Sequence, residues 1–144
     1  MTPIEEVRFV IRGNQENPDG NPVPYVRSTQ RGQFKPTVMR YNMWKHHVIK
    51  VFYDSHPRYF PRVGGAPVYS GKIFNSSKNL KFKVGLFIHW GSDNHADPDN
   101  IYKGIVDALF KNDKHVAIKE VDYDYSPDKK GSVEIVIEII PMKY

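Results

Sequence analysis

Lys81-Phe82-Lys83-Val84-Gly85-Leu86-Phe87-Ile88-His89-Trp90 is the stretch on which the reading of the fold turns. It opens by alternating cations with apolar residues and then becomes almost wholly apolar, the pattern of a central strand entering a core. Downstream, Pro98 to Lys111 places Ile101, Ile105, Ala108 and Leu109 on one helical face. Two strands are then expected, 116–125 and 132–140, joined by the turn Pro127-Asp128-Lys129-Lys130-Gly131. Val133, Ile135, Ile137 and Ile139 line one face of the last strand.

Upstream, Glu6-Val7-Arg8-Phe9-Val10-Ile11-Arg12 reads as a first strand, followed by a loop from Gly13 to Pro24 rich in Asn, Pro and Gly. Thr37 is expected to cap a helix running to about Tyr53, with Tyr41, Trp44, Val48, Val51 and Phe52 at helical spacing. The order β-α-β-α-β-β predicts one α+β domain over residues 1–144, a mixed sheet with helices packed on it. Pro57 to Leu80 is long for a connection in a compact domain. Its Tyr59, Phe60, Tyr69 and Phe74 stand among Arg58, Arg62, Lys72 and Lys78, which suits either base stacking or a small satellite core.

Charge is divided along the chain. Residues 1–83 hold 14 Lys or Arg and 5 Asp or Glu, whereas residues 84–144 hold 7 and 11. Between Gly20 and Ser92 the only acid is Asp54. A basic half beside an acidic half points to a polyanion gripped by one region and a cation held by the other. Arg27, Arg31, Lys35 and Arg40 form a basic arm, and Arg58, Arg62 and Lys72 add a basic loop for phosphate contact. The chain has no Cys, which excludes disulfides and thiolate metal sites and fits a reducing cytoplasm. No apolar run approaches a membrane span, and the acidic start at Glu5-Glu6 is unlike a signal peptide.

The chemistry-bearing stretch is Asp97-Pro98-Asp99-Asn100-Ile101-Tyr102-Lys103, followed by Asp107-Ala108-Leu109 and Asp113. On an extended path, Asp97 and Asp99 point the same way, and Pro98 favours such a path for the residue before it. Asp99, Lys103 and Asp107 are spaced by single helical turns, giving carboxylate, ammonium and carboxylate in a row. Carboxylates suit Mg²⁺ or Mn²⁺, and an ammonium stabilises charge building on a phosphate. The same residues also fit a plain helix cap with an acidic first turn.

Asp97-x-Asp99-Asn100-x-x-Lys103-x-x-x-Asp107-Ala108-Leu109 with Asp113 downstream resembles the RusA-type Holliday-junction resolvases, the crossover junction endodeoxyribonucleases. Lys119-Glu120-Val121-Asp122-Tyr123 and the closing hairpin are similar to that family's C-terminal portion. The close likeness covers the last third of the chain; in order of elements it extends over nearly all of it. The resemblance implies a homodimer that binds four-way DNA junctions and makes paired nicks with Mg²⁺, Mn²⁺ being a possible substitute. It implies Asp97, Asp99 and Asp113 as metal ligands and Lys103 as a catalytic lysine. The connection from Leu109 to Asp113 is shorter than the family's, so Asp107 stands as an alternative third ligand. Gly91-Ser92-Asp93-Asn94-His95-Ala96 lacks the basic residues the family often carries there.

Two other classes fit parts of the sequence: a non-catalytic DNA-binding module of the same fold, and a metal-dependent phosphohydrolase acting on nucleotides. Glu120, Asp122 and Asp124 alternate on one strand face, either a solvated edge or a wall of the acidic site. His46 and His47 read as helix-surface residues, His89 as buried in its strand, and His95 as a loop residue near Asp97. Trp44 or the strand hairpin is a candidate dimer interface.

Overall fold

The computed structural model describes residues 5–27, 32, 34–59, 62–63, 66–67, 73–76, 79–93 and 95–142. Within them lie β1 (Glu5–Ile11), α1 (Pro36–Ser55), β2 (Arg62–Val63), β3 (Ala66–Pro67), β4 (Leu80–Trp90), α2 (Pro98–Leu109), β5 (Val116–Tyr125) and β6 (Ser132–Pro141). The main sheet has the order β1-β6-β4-β5; β2 and β3 form a separate two-residue ladder. β6 pairs antiparallel with both β1 and β4, and β4 pairs parallel with β5. The expected α+β class with a mixed sheet is the one observed, but the expected β-α-β-α-β-β order holds only loosely, because β2 and β3 intervene between α1 and β4.

Side-chain alternation dictates this order. Val133, Ile135, Ile137 and Ile139 form an aliphatic row that can be covered fully only with a strand on either side. Ile135 lies between Phe9 and Leu86, and Ile137 between Val7 and Val84, all of them buried. On the same face α1 buries Val38, Tyr41, Trp44, Val48, Ile49 and Phe52, and α2 buries Ile101, Gly104, Ile105, Ala108 and Leu109. Trp44 is therefore core, not an interface residue: it is only 2% exposed. The other face of the sheet carries no helix among the described residues and presents Phe87, His89, Glu134 and Val136.

Some boundaries differ from expectation for local reasons. α1 begins at Pro36, whose fixed φ suits a first helical position, so Thr37 lies inside the first turn and Lys35 stands at the cap without a capping side chain. Tyr59 and Phe74 pack edge-on against Phe52, but they form no separate satellite: Phe74 is part of the main core and Tyr59 packs against it. Phe60, Tyr69 and Lys78 lie outside the described residues.

The 13–24 loop is fastened to the far end of the sheet. Asn21 Oδ1 accepts the Gly91 N–H at 2.7 Å, and the Gly131 N–H bonds to Asp19 O at 2.8 Å. Gly20 has φ +77°, and a Cβ there would stand 2.1 Å from Gly131 O, so this crossing tolerates no side chain. The carboxyl end of β4 is thereby roofed by the loop.

The register separates neighbours sharply. Ile135→Ala, which empties a buried site, should cost about 2–5 kcal/mol. Val136→Ala, on the uncovered face, should cost well under half of that. Urea midpoints of the two variants check this; equal losses would contradict the assigned faces.

Candidate active site

Asp97 is extended at φ −65° and ψ 126°, the conformation a following proline favours. Helix α2 begins immediately at Pro98, so Asp99 is already helical rather than continuing the extended path expected for it. The Asp97 side chain caps the helix, with Oδ1 accepting the Asp99 N–H at 3.0 Å. Asp97 and Asp99 are both exposed at the carboxyl end of β4. The Tyr25 N–H bonds to Asn100 O at 3.1 Å, which fixes Tyr25, two residues before exposed Arg27, beside this helix start.

Lys103, one turn on, lines a cleft of about 480 Å³ along α2, together with Tyr25, Tyr102, Lys111, Asn112 and Asp113. Burial raises the pKa of Tyr102, and the Asp113 carboxylate adds to the shift. Asp107 borders the cleft but is tied to α1: its Oδ2 accepts from the Tyr41 hydroxyl at 2.8 Å and from Lys45 Nζ at 2.9 Å. Burial and this bond to Asp107 push the Tyr41 hydroxyl far above its usual pKa. Gly104 lets the helices approach so closely, since a Cβ there would lie 3.2 Å from the Tyr41 ring. Asp107 thus joins α1 to α2.

Asp113 stands at the opposite end of α2 from Asp97. Its carbonyl accepts the Val116 N–H, and Val116 pairs with Phe82 near the start of β4. Trp90, just before the Asp97 segment, is eight residues further along β4, about 26 Å at strand rise. Twelve residues of α2 span about 18 Å. Among the described residues no group of three or more His, Asp or Glu could hold one metal ion. As a trio drawn from a single chain, Asp97, Asp99 and Asp113 therefore do not fit one ion. Asp97 and Asp99 as a pair do fit, because Mg²⁺ is commonly held by one or two carboxylates with water and phosphate oxygens.

The expected DNA-contacting cations are divided. Arg40 reaches Asn17 Oδ1 at 3.5 Å, within the loop that roofs the β4 carboxyl end, and Lys35 precedes the same helix by one position. Arg58 pairs with Glu5 and lies 4.8 Å from the Tyr59 ring centroid. Glu5 pairs with Ile139, at the other end of the sheet from Asp97. Arg62 lies in β2, its side chain outside the described residues, as are Arg31 and Lys72 altogether.

A single irregularity sorts the side chains of β5. Val84 pairs with Ile118, but Gly85 pairs with Glu120, so Lys119 is an extra residue. Beyond it, Tyr123 and Tyr125 pair with Ile88 and Trp90 and take the helix side, while Asp122 and Asp124 pair with Phe87 and His89 on the uncovered face. That position removes Asp122 and Asp124 from the Asp97 side. His89 is not buried as expected: its Nδ1 meets Asp124 at 2.7 Å and its Nε2 meets Glu134 at 2.9 Å. Neither contact is legible in the sequence, because both depend on register. His47 Nε2 binds Arg12 O at 2.8 Å, while His46 is exposed on α1.

Partial burial disfavours a charged His89, but the bonds to Glu134 and Asp124 outweigh it and raise the pKa above 6.5. A raised folded pKa contributes stability fully below the unfolded value and loses it as pH rises through the folded one. The melting-temperature gap between wild type and His89→Gln should therefore be widest at about pH 5–6.5 and narrow toward about pH 9. A gap that does not change with pH would show that no imidazolium is held there.

No family model matches the sequence, and no curated protein does.

Proposed function

We propose that this chain is a metal-dependent DNA endonuclease selective for four-way junctions, of the RusA type that its Asp97–Asp113 stretch resembles. The observation that carries the reading is the helix start at the carboxyl end of β4. There, Asp97 and Asp99 are exposed, Lys103 lies one turn beyond Asp99, and the Tyr25 N–H is bonded to Asn100 O alongside. Ligands of open sheets with parallel units favour such strand ends. Lys103 would offer its ammonium to charge developing on a scissile phosphate. Arg27, Lys35 and Arg40 would hold flanking phosphates, a sequence-independent grip that suits recognition by shape. Mg²⁺, or Mn²⁺ in its place, is the proposed cofactor.

The separation of Asp113 from Asp97 and Asp99 favours the proposed homodimer. Two copies related by a two-fold axis can set the Asp113 end of one α2 against the Asp97 end of the other. Paired nicks in a pseudo-symmetric junction call for the same symmetry. The same separation is what a non-catalytic junction-binding module would tolerate, so cleavage decides between the two readings.

On a synthetic four-way junction with Mg²⁺, wild type should make paired nicks and spare linear duplex. Asp99→Asn, which keeps shape and removes charge, should bind and not cut. Lys103→Ala should slow cutting about 100- to 1000-fold with binding retained. Equimolar Asp99→Asn and Asp113→Asn chains, inactive separately, should regain single nicks when mixed, because one composite site per mixed pair is intact. Junction binding without cutting by any protein would favour the module.

Binding should weaken steeply with salt. Replacing Arg27, Lys35 or Arg40 by Ala should each lower the slope of log affinity against log salt by about one. Affinity titrations at several salt concentrations check this, and a salt-independent affinity would refute the phosphate-grip assignment.

A further inference from the structure

Beside Asp97 the fold gathers four rings that the proposed chemistry does not use. Trp90 and His95 stack with centroids 4.5 Å apart and planes 15° from parallel. His95 Nδ1 lies 2.9 Å from Ala96 O and Nε2 lies 2.8 Å from the Tyr125 hydroxyl, so the imidazole is oriented from both sides. Tyr123 lies 5.5 Å from His95, tilted 52° against it, and meets Tyr125 edge to face at 6.1 Å. Trp90 is buried, whereas Tyr123 and Tyr125 are 44% and 50% exposed. A buried ring thus supports a bonded ring, which supports two open ones.

Position and charge bear on what those open rings meet. The extra residue at Lys119 brings Tyr123 and Tyr125 to the side of the sheet that carries α2, and turns Asp122 and Asp124 to the opposite face. The exposed rings therefore lie on the Asp97 side, with the nearest strand carboxylate, Asp122, occupied in accepting the Tyr123 N–H at 2.8 Å. His95 is two residues from Asp97. A nucleobase hangs one sugar from its phosphate, so a phosphate held at Asp97 and Asp99 brings a base within reach of these rings. Solvent-open tyrosines offer π-faces on which any base can stack.

We infer that Tyr123 and Tyr125, backed by His95 and Trp90, form a stacking subsite for a nucleobase next to the scissile phosphate. The inference rests on the nuclease reading above and adds a residue-level prediction to it: the DNA is held open at the nick. An unpaired base costs less to place there at a junction centre than in intact duplex, where it must first leave the stack. The subsite would contribute to structural selectivity in that way.

The test uses four-way junctions carrying 2-aminopurine at each position flanking the nick, with wild type, Tyr123→Leu, Tyr125→Leu and the two corresponding Phe variants. Binding is read without metal and cutting with Mg²⁺; thermal melts and sizing accompany each protein. Wild type should alter the fluorescence at one flanking position only. The Leu variants should lose that change and bind about 5- to 150-fold more weakly, and the Phe variants should recover the signal. If the Leu variants bind, signal and cut as wild type does, the subsite is refuted while the nuclease reading stands. If wild type neither binds nor cuts junctions, both fall together. If the Leu variants change the oligomeric state and leave the signal intact, the rings are a contact between chains and the inference is overturned. Should the Leu variants fail to fold, a Phe variant without the wild-type signal refutes stacking on that ring.

Discussion

Burial of the aliphatic row on β6 is the constraint from which the rest of the molecule follows. Val133, Ile135 and Ile137 are each flanked by apolar residues of β1 on one side and β4 on the other, and all are closed off from water. Burying an aliphatic side chain contributes about 1.5–3 kcal/mol, so a row of this length outweighs most local preferences of the chain. Because β1 and β4 must both pair with β6, the last strand of the chain stands inside the sheet and β5 is left at the edge. Among the described residues the helices cover only the face that carries this row, and the opposite face presents Phe87 and Val136 beside the charged residues and the His89 contacts.

That arrangement sets the geometry of the acidic residues. β4 and β5 run parallel, so α2 between them has to travel back along the sheet. Its start, with Asp97 and Asp99, lies at the carboxyl end of β4, and the turn after it, with Asp113, lies near the other end. Asp107 sits between these ends but is held by Tyr41 and Lys45, where it joins the two helices. Three aspartates that look adjacent in a list of residues are thus separated by the helix they border. In the proposed homodimer the separation becomes the reason for having two chains.

The second determinant is one residue in length. Without the irregularity at Lys119, the acids of β5 would face α2 and its tyrosines would face outward, because side chains alternate strictly along a strand. With it, Asp124 meets His89 and the tyrosines meet His95. The same bulge supplies the uncovered face with its clamped histidine and gives the Asp97 side its open aromatic rings.

Residues 81–90, 98–111, 116–125 and 132–140 declare their secondary structure in the sequence, because strand and helix periodicities are local properties. The charge division and the Asp97–Lys103 spacing are legible for the same reason. The helix start is only partly so: the spacing fits an extended path through Asp99 or a helix cap without saying which residue caps, and Pro98 entering the helix at once makes Asp97 the cap. What the residues could not declare is everything that depends on pairing distant segments. The burial of Trp44, the pairing of Asp107 with Lys45, the surroundings of His89 and the distance from Asp97 to Asp113 all depend on sheet order, register and helix packing. Those are chosen by the free energy of the whole core, to which each of these residues contributes only a small share.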